Sequence, residues 1–146
     1  MLYKEGRRAL DISKHYTLAE FTKSATAEKK GLSNIPSYAC IVNLTTLCLN
    51  VIEPLFDHYG RKARINSGYR SYELNKAIGG ANKSQHTRGQ AADIEMDNIS
   101  NQELYDYIKN NLLFDQLILE SHHKEVPSSG WVHVSYNTVR NRNDAR

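Results

Sequence analysis

Between Ser84 and Asp93 the chain reads Ser-Gln-His-Thr-Arg-Gly-Gln-Ala-Ala-Asp, which sets the imidazole of His86 seven residues ahead of the carboxylate of Asp93. Imidazole nitrogen and carboxylate oxygen are both zinc ligands, and a catalytic zinc site keeps one coordination position for water. The spacing is too long for one helical turn and too short to contain a separate element. It suits a loop bearing His86 that runs through Gly89 into a strand bearing Asp93. The small residues Gly89, Ala91 and Ala92 would let the backbone pass close behind an ion.

The elements that must hold these groups follow from capping and periodicity. Thr17-Leu18-Ala19-Glu20 is a capping box for a short helix containing Phe21. The polar run from Ser24 to Asn34 predicts a helical turn and then a loop at Gly31. Pro36 fits the first turn of the longest helix. There Leu44, Leu47, Cys48, Val51, Ile52, Leu55, Phe56 and Tyr59 form one apolar stripe. Pro54 should kink that helix and Gly60 should end it.

A strand over Lys62–Ser67 leads to Gly68-Tyr69-Arg70-Ser71, and Ser71 caps a helix over Tyr72–Ile78, closed by Gly79-Gly80. A loop over Ala81–Arg88 brings in His86, and a strand over Ala91–Met96 carries Asp93 on the face opposite Ala92, Ile94 and Met96. Ser100-Asn101-Gln102-Glu103 opens a helix to about Asn111. Phe114–Glu120 and Trp131–Tyr136 read as an antiparallel hairpin. Its alternation puts Gln116, Ile118 and Glu120 on one face, and Trp131, His133 and Ser135 on one face of the partner. In a suitable register Glu120 stands near His133. The polar tail Arg140–Arg146 is expected to fray. Helices first, then strands with a helix inserted, predict an α+β fold with a central antiparallel sheet flanked by helices, residues 1–146 forming one domain.

The 146 residues suffice for a sizeable core. No stretch is expected to reach the roughly 20 apolar residues of a membrane span, so no membrane insertion is expected. The Met1–Arg8 start has basic residues without an apolar segment, which argues against a signal peptide and for synthesis in the cytoplasm. A net charge of +3 fits a mixed surface, and the basic residues form no stripe with aromatics, so no nucleic-acid partner is expected. Cys40 and Cys48, eight residues apart on one helix, would be separated by about 12 Å, beyond the roughly 7 Å reach of a disulfide. Both are read as buried thiols.

The complete pattern Ser84-x-His86-x-x-Gly89-x-Ala91-x-Asp93 resembles the first half of the metal site in the zinc D-Ala-D-Ala peptidases, which share a fold with the hedgehog signalling domain. His15–Phe21, Asn66–Ser71, Phe114–Glu120 and Trp131–Ser135 also look like family segments, most similar to a compact phage- and prophage-borne branch. The resemblance implies a hedgehog/D,D-peptidase-like fold and one Zn2+ per chain held by His86, Asp93 and His133. His122 and His123 compete for the third place, although adjacent strand residues point to opposite faces. The bland alternatives are a loop histidine, a carboxylate paired with an arginine, and a core histidine between two valines.

Two imidazoles and a carboxylate would leave zinc a water whose pKa falls to about 7, and a nearby carboxylate could take its proton. Many relatives carry that carboxylate three residues before the last histidine, where this chain has Gly130. Glu120 is the candidate base, Glu125 the runner-up, and Asp115 is expected to face the other way. By resemblance, Arg70 contacts substrate and steadies the oxyanion, against the alternative of a salt bridge with Asp93 or Glu73. Ser84 hydrogen-bonds substrate or simply caps its loop, and Tyr69 is a candidate cleft residue among nine tyrosines. The implied activity is hydrolysis of peptidoglycan stem peptides at the bacterial cell wall by a monomer, as a D-Ala-D-Ala carboxypeptidase or a lysis endopeptidase of endolysin or virion type. The competing expectation is an inactive, zinc-stabilised binding module of the same fold.

Overall fold

Serine hydroxyls start four of the helices in the computed structural model, which describes residues 10–146. The Met1–Arg8 start, read above for a leader, lies outside the described residues. Helix α1 is Leu18–Thr22, and the Glu20 carboxylate accepts the Thr17 N–H at 3.0 Å, one half of the expected capping box. Ser24, Ser37, Ser71 and Ser100 accept N–H groups at the starts of α2 (Ala25–Lys30), α3 (Tyr38–Leu47), α5 (Tyr72–Ala77) and α6 (Asn101–Asn111). Each such cap contributes about 1 kcal/mol. Because Ser37 takes the cap, Pro36 sits ahead of the helix rather than in its first turn.

Helix α3 continues through a π-turn, Cys48–Ile52, into α4, Glu53–Tyr59. Pro54 lacks an N–H, and its ring would crowd the carbonyl four residues back. The widened turn just before it absorbs that conflict, with the Glu53 N–H donating to the Cys48 carbonyl. Gly60 ends α4 at φ 71°. The run Tyr38–Tyr59 is 22 residues with a mean hydropathy of 1.6 in its most apolar window, which corrects the expectation that no stretch approaches a membrane span. One face of this helix is committed to the core: Leu44, Leu47, Cys48, Val51, Ile52 and Leu55 are fully buried. A buried leucine contributes roughly 1.5–3 kcal/mol. Both cysteines are free thiols. Cys48 is buried, which pushes its pKa up to about 12, whereas Cys40 is only partly covered.

Five strands form one sheet in the order β1-β2-β4-β3-β5: Arg64–Ser67, Ala91–Glu95, Trp131–Ser135, Gln116–Glu120 and Asp144–Ala145, as named in that order. Side chains alternate between its faces. Ala92, Ile94, Leu117, Val132 and Val134 join the helical stripe in the core. The opposite face carries Asp93, paired with His133, which is paired in turn with Ile118. A one-residue slip in either pairing would send the polar row into the core, so burial of the apolar row fixes the register of the polar one.

The tail does not fray, and the sheet is not wholly antiparallel. Strand β5 pairs parallel to β3. A turn held by the side chains of Asn137 and Asn141 leads to it. The anchor is Asp115, a buried carboxylate that accepts from Arg142 N, Nε and Nη2 at 3.0, 3.0 and 2.8 Å and from Gln85 Nε2 at 2.7 Å. Arg142 holds the Asp115 pKa down to about 2. A carboxyl whose folded pKa is depressed stabilises above its unfolded value, about 3.9, and loses that contribution as pH falls through the folded one. The stability advantage of the wild type over Asp115→Asn should therefore be constant above about pH 5 and shrink between pH 4 and 2. Denaturant melts across that range measure it, and a pH-independent gap would refute a charged clamp.

Candidate metal centre

Three elements converge on the polar face of the sheet. His86 lies on a 3-10 turn, Gln85–Arg88, opened by Ser84, whose hydroxyl accepts the His86 N–H at 3.2 Å, and closed by Gly89 at φ 73°. Helix α3 supports this turn from behind: Asn43 Nδ2 donates to the Arg88 carbonyl at 2.9 Å. A Cβ on Gly89 would come within 2.5 Å of the Cys40 carbonyl. Gly89 thus serves a left-handed turn and a close helix contact, rather than passage behind an ion. Asp93 and His133 are adjacent across the β2–β4 ladder.

The His86 ring is oriented from the far side. Its Nδ1 lies 2.7 Å from the Gly68 carbonyl, which can only accept, so Nδ1 carries the proton. Gly68 reaches that place because its backbone lies against α1, where an added Cβ would stand 2.5 Å from the Phe21 carbonyl. The lone pair of Nε2 then faces the cleft, buried and without a hydrogen-bond partner. It is 3.4 Å from Asp93 Oδ1, while His133 Nδ1 is 3.1 Å from the same oxygen. A lone pair facing a carboxylate oxygen in a buried site calls for a cation between them.

Zinc fits that requirement. Donors about 2.05 Å from a tetrahedral ion lie about 3.3 Å apart, close to the two measured separations, and one ligand atom from each residue lies within 4.8 Å of the others. The outer partner of His86 is the kind that fixes a ligand tautomer. Burial alone would raise the Asp93 pKa, but its contacts with His133 and His86 outweigh burial and hold the carboxyl below its usual range. Asp93 is therefore an anion ready for a metal.

The three side chains open into a cleft of about 700 Å³, the size of a small-molecule or peptide site. Arg70, Ser84, Glu120 and Trp131 also line it. Glu120 pairs with Trp131, two residue pairs along from His133, and shares its face. The Arg70 backbone N–H donates to the His86 carbonyl at 3.1 Å. Its guanidinium forms no ion pair with Asp93 or Glu73, and Nε is buried without a partner. Burial lowers the Arg70 pKa, with the charge of Asp93 opposing. Ser84 both caps the turn and lines the cleft.

Other expectations need correction. Tyr69 lines a separate, smaller pocket that shares Arg70, because its backbone is held by Phe21 and Asn34. His122 and His123 fold into the β3–β4 loop, where His122 Nδ1 lies 3.2 Å from the Ser129 carbonyl and the His123 N–H donates to Ser129 Oγ at 2.7 Å. Glu125 is exposed on that loop and does not line the cleft. Asp115 is engaged by Arg142 and Gln85. At Gly130, φ is 74° and an added Cβ would stand 1.9 Å from the Glu120 carbonyl oxygen, so no side chain fits there. Sequence reasoning missed Gln85 and Arg142 as cleft residues. The asparagines flanking Arg142 were the available sign of an ordered turn.

Two buried histidines and a partly buried aspartate, with an orphaned imidazole nitrogen among the described residues, form a cluster that could hold a metal ion at the wall of an open cleft. Residues 14–135 match the family model described as Peptidase M15, and the chain belongs to that zinc-dependent peptidase family. No curated protein matches it.

Proposed function

We propose that this chain is a zinc peptidase that hydrolyses peptide bonds in peptidoglycan stem peptides, on a hedgehog/D,D-peptidase-like scaffold. The observation that carries the reading is the orphaned His86 Nε2 beside Asp93 and His133, in a cleft that also contains Glu120. Bound zinc would supply a Lewis acid that lowers the pKa of a water to about 7. His86, held through Gly68, and Asp93 and His133, held by the sheet ladder, present preorganised ligand atoms. Glu120 takes the proton of the attacking water and returns it to the leaving amine. Arg70, whose Nε has no hydrogen-bond partner among the described residues, offers its guanidinium to the developing oxyanion, where a fixed charge stabilises the transition state. Ser84 positions substrate at the rim.

The biological setting proposed is a lysis or virion-associated enzyme of phage type, acting at the bacterial cell wall as a monomer after cytoplasmic synthesis. The test is release of stem-peptide fragments from purified peptidoglycan by the zinc-loaded protein, with loss on chelation and recovery on adding zinc back. A second reading, a zinc-stabilised binding module, is favoured by one observation: the usual acid position is Gly130, sealed against any side chain. Stoichiometric zinc without hydrolysis under any of these conditions would select it.

A further inference from the structure

The segment leading into the last strand brings a cation into the cleft. Arg142 lies beyond the residues that match the family, 14–135, yet lines the same cleft as His86, Asp93 and His133. Its guanidinium cannot swing freely, because Nε and Nη2 are both given to Asp115. Nη1 makes no hydrogen bond among the described residues, and about half of the side chain is exposed. The same buried carboxylate binds Gln85, at the start of the turn that bears His86. One clamp therefore joins the segment before the last strand to the turn of a metal ligand.

Gln85 gives its Nε2 to Asp115, so its Oε1 is left as a buried acceptor without a partner at the cleft wall. A cation and an unsatisfied acceptor, carried on two side chains held by one carboxylate, suit a ligand with a carboxylate next to an N–H donor. The last residue of a peptide has both. Register gives the direction. Along β3 the cleft face reads Gln116, Ile118, Glu120, with Ile118 paired to His133. Gln116 Nε2 bonds Asp144, two residues after Arg142, at 3.3 Å. Gln116 and Glu120 thus flank the metal row from opposite ends, each about 7 Å along the strand, and Arg142 lies toward the Gln116 end. The other rim cations, Lys83 and Arg88, have no carboxylate to fix them among the described residues.

We propose that Arg142, clamped by Asp115, binds the free C-terminal carboxylate of the peptide substrate, which makes the enzyme a carboxypeptidase rather than an endopeptidase. The assignment rests on the peptidase reading, but its test does not require turnover. N-acetyl-D-alanine has the carboxylate and the N–H without a scissile peptide bond between amino acids, and its C-terminal amide differs only in charge.

Titrating the zinc-loaded full-length protein with each by NMR should show the acid binding at least tenfold tighter, with the Arg142 Nε–H signal moving for the acid alone. Arg142→Met should reduce the preference to within twofold at unchanged zinc content, and Arg142→Lys should retain part of it. If Arg142→Met does not fold, the Nε–H signal of the wild type decides. Equal binding of acid and amide, no binding of either, an unmoved Nε–H signal, or full preference in a folded Arg142→Met would overturn the assignment. Preference for the acid without hydrolysis of any peptide would refute the peptidase reading alone and leave the carboxylate site standing.

Discussion

Alanine at His86, Asp93 or His133 should each reduce bound zinc from about one ion per chain to background after dialysis, and hydrolysis should fall below detection. Each substitution removes one of three protein donors, and loss of a group that merely hydrogen-bonds a ligand already costs roughly 10–100-fold in affinity. The three are not equivalent in what they leave behind. Asp93→Ala removes the anion that lies within 3.4 Å of both imidazoles, so two neutral nitrogens remain with no countercharge for a dication. His86→Ala also opens a cavity under the turn, because the ring is buried and bonded to Gly68. That variant should lose thermal stability as well as metal. His133→Ala leaves the ladder intact and tests ligation most cleanly. Metal analysis with circular dichroism as a folding control separates these outcomes, and normal zinc content in all three variants would end the metal assignment.

Much of this centre was legible from the chain because the groups that build it are local or periodic. The histidine turn is bounded by Ser84 and Gly89, whose conformations follow from residue type. Asp93 and His133 sit at alternate positions of strands whose apolar neighbours dictate the facing side. What escaped depends on long-range partners. Arg142 is one of several charges in a polar tail, and only Asp115, 27 residues earlier, explains why that tail is ordered. The π-turn before Pro54 preserves a helix that proline alone would be expected to bend sharply. Tyr69 was misplaced because a residue flanked by cleft residues need not face the cleft. Its backbone is pinned by Phe21 and Asn34, which sequence order does not bring together.

Glu120→Gln should retain zinc at the wild-type level and lose 10²–10⁴-fold in kcat, the contribution typical of a positioned general base. The amide matches the carboxylate in shape and hydrogen-bonding reach but cannot take a proton, so binding survives and transfer does not. The assignment follows from counting carboxylates at the cleft. Asp93 and Glu120 are the two that line it, and Asp93 is engaged with both histidines. Gly130 cannot substitute, and the reason links the two positions: the atom that would collide with a side chain there is the Glu120 carbonyl itself. The β3–β4 pairing that closes the usual position therefore brings another acid to the same end of the cleft, two residue pairs from His133. Glu125→Gln, on the exposed loop, should leave both zinc and turnover within twofold of the wild type. Retained turnover in Glu120→Gln would remove Glu120 from the mechanism and leave the cleft without an unengaged carboxylate among the described residues.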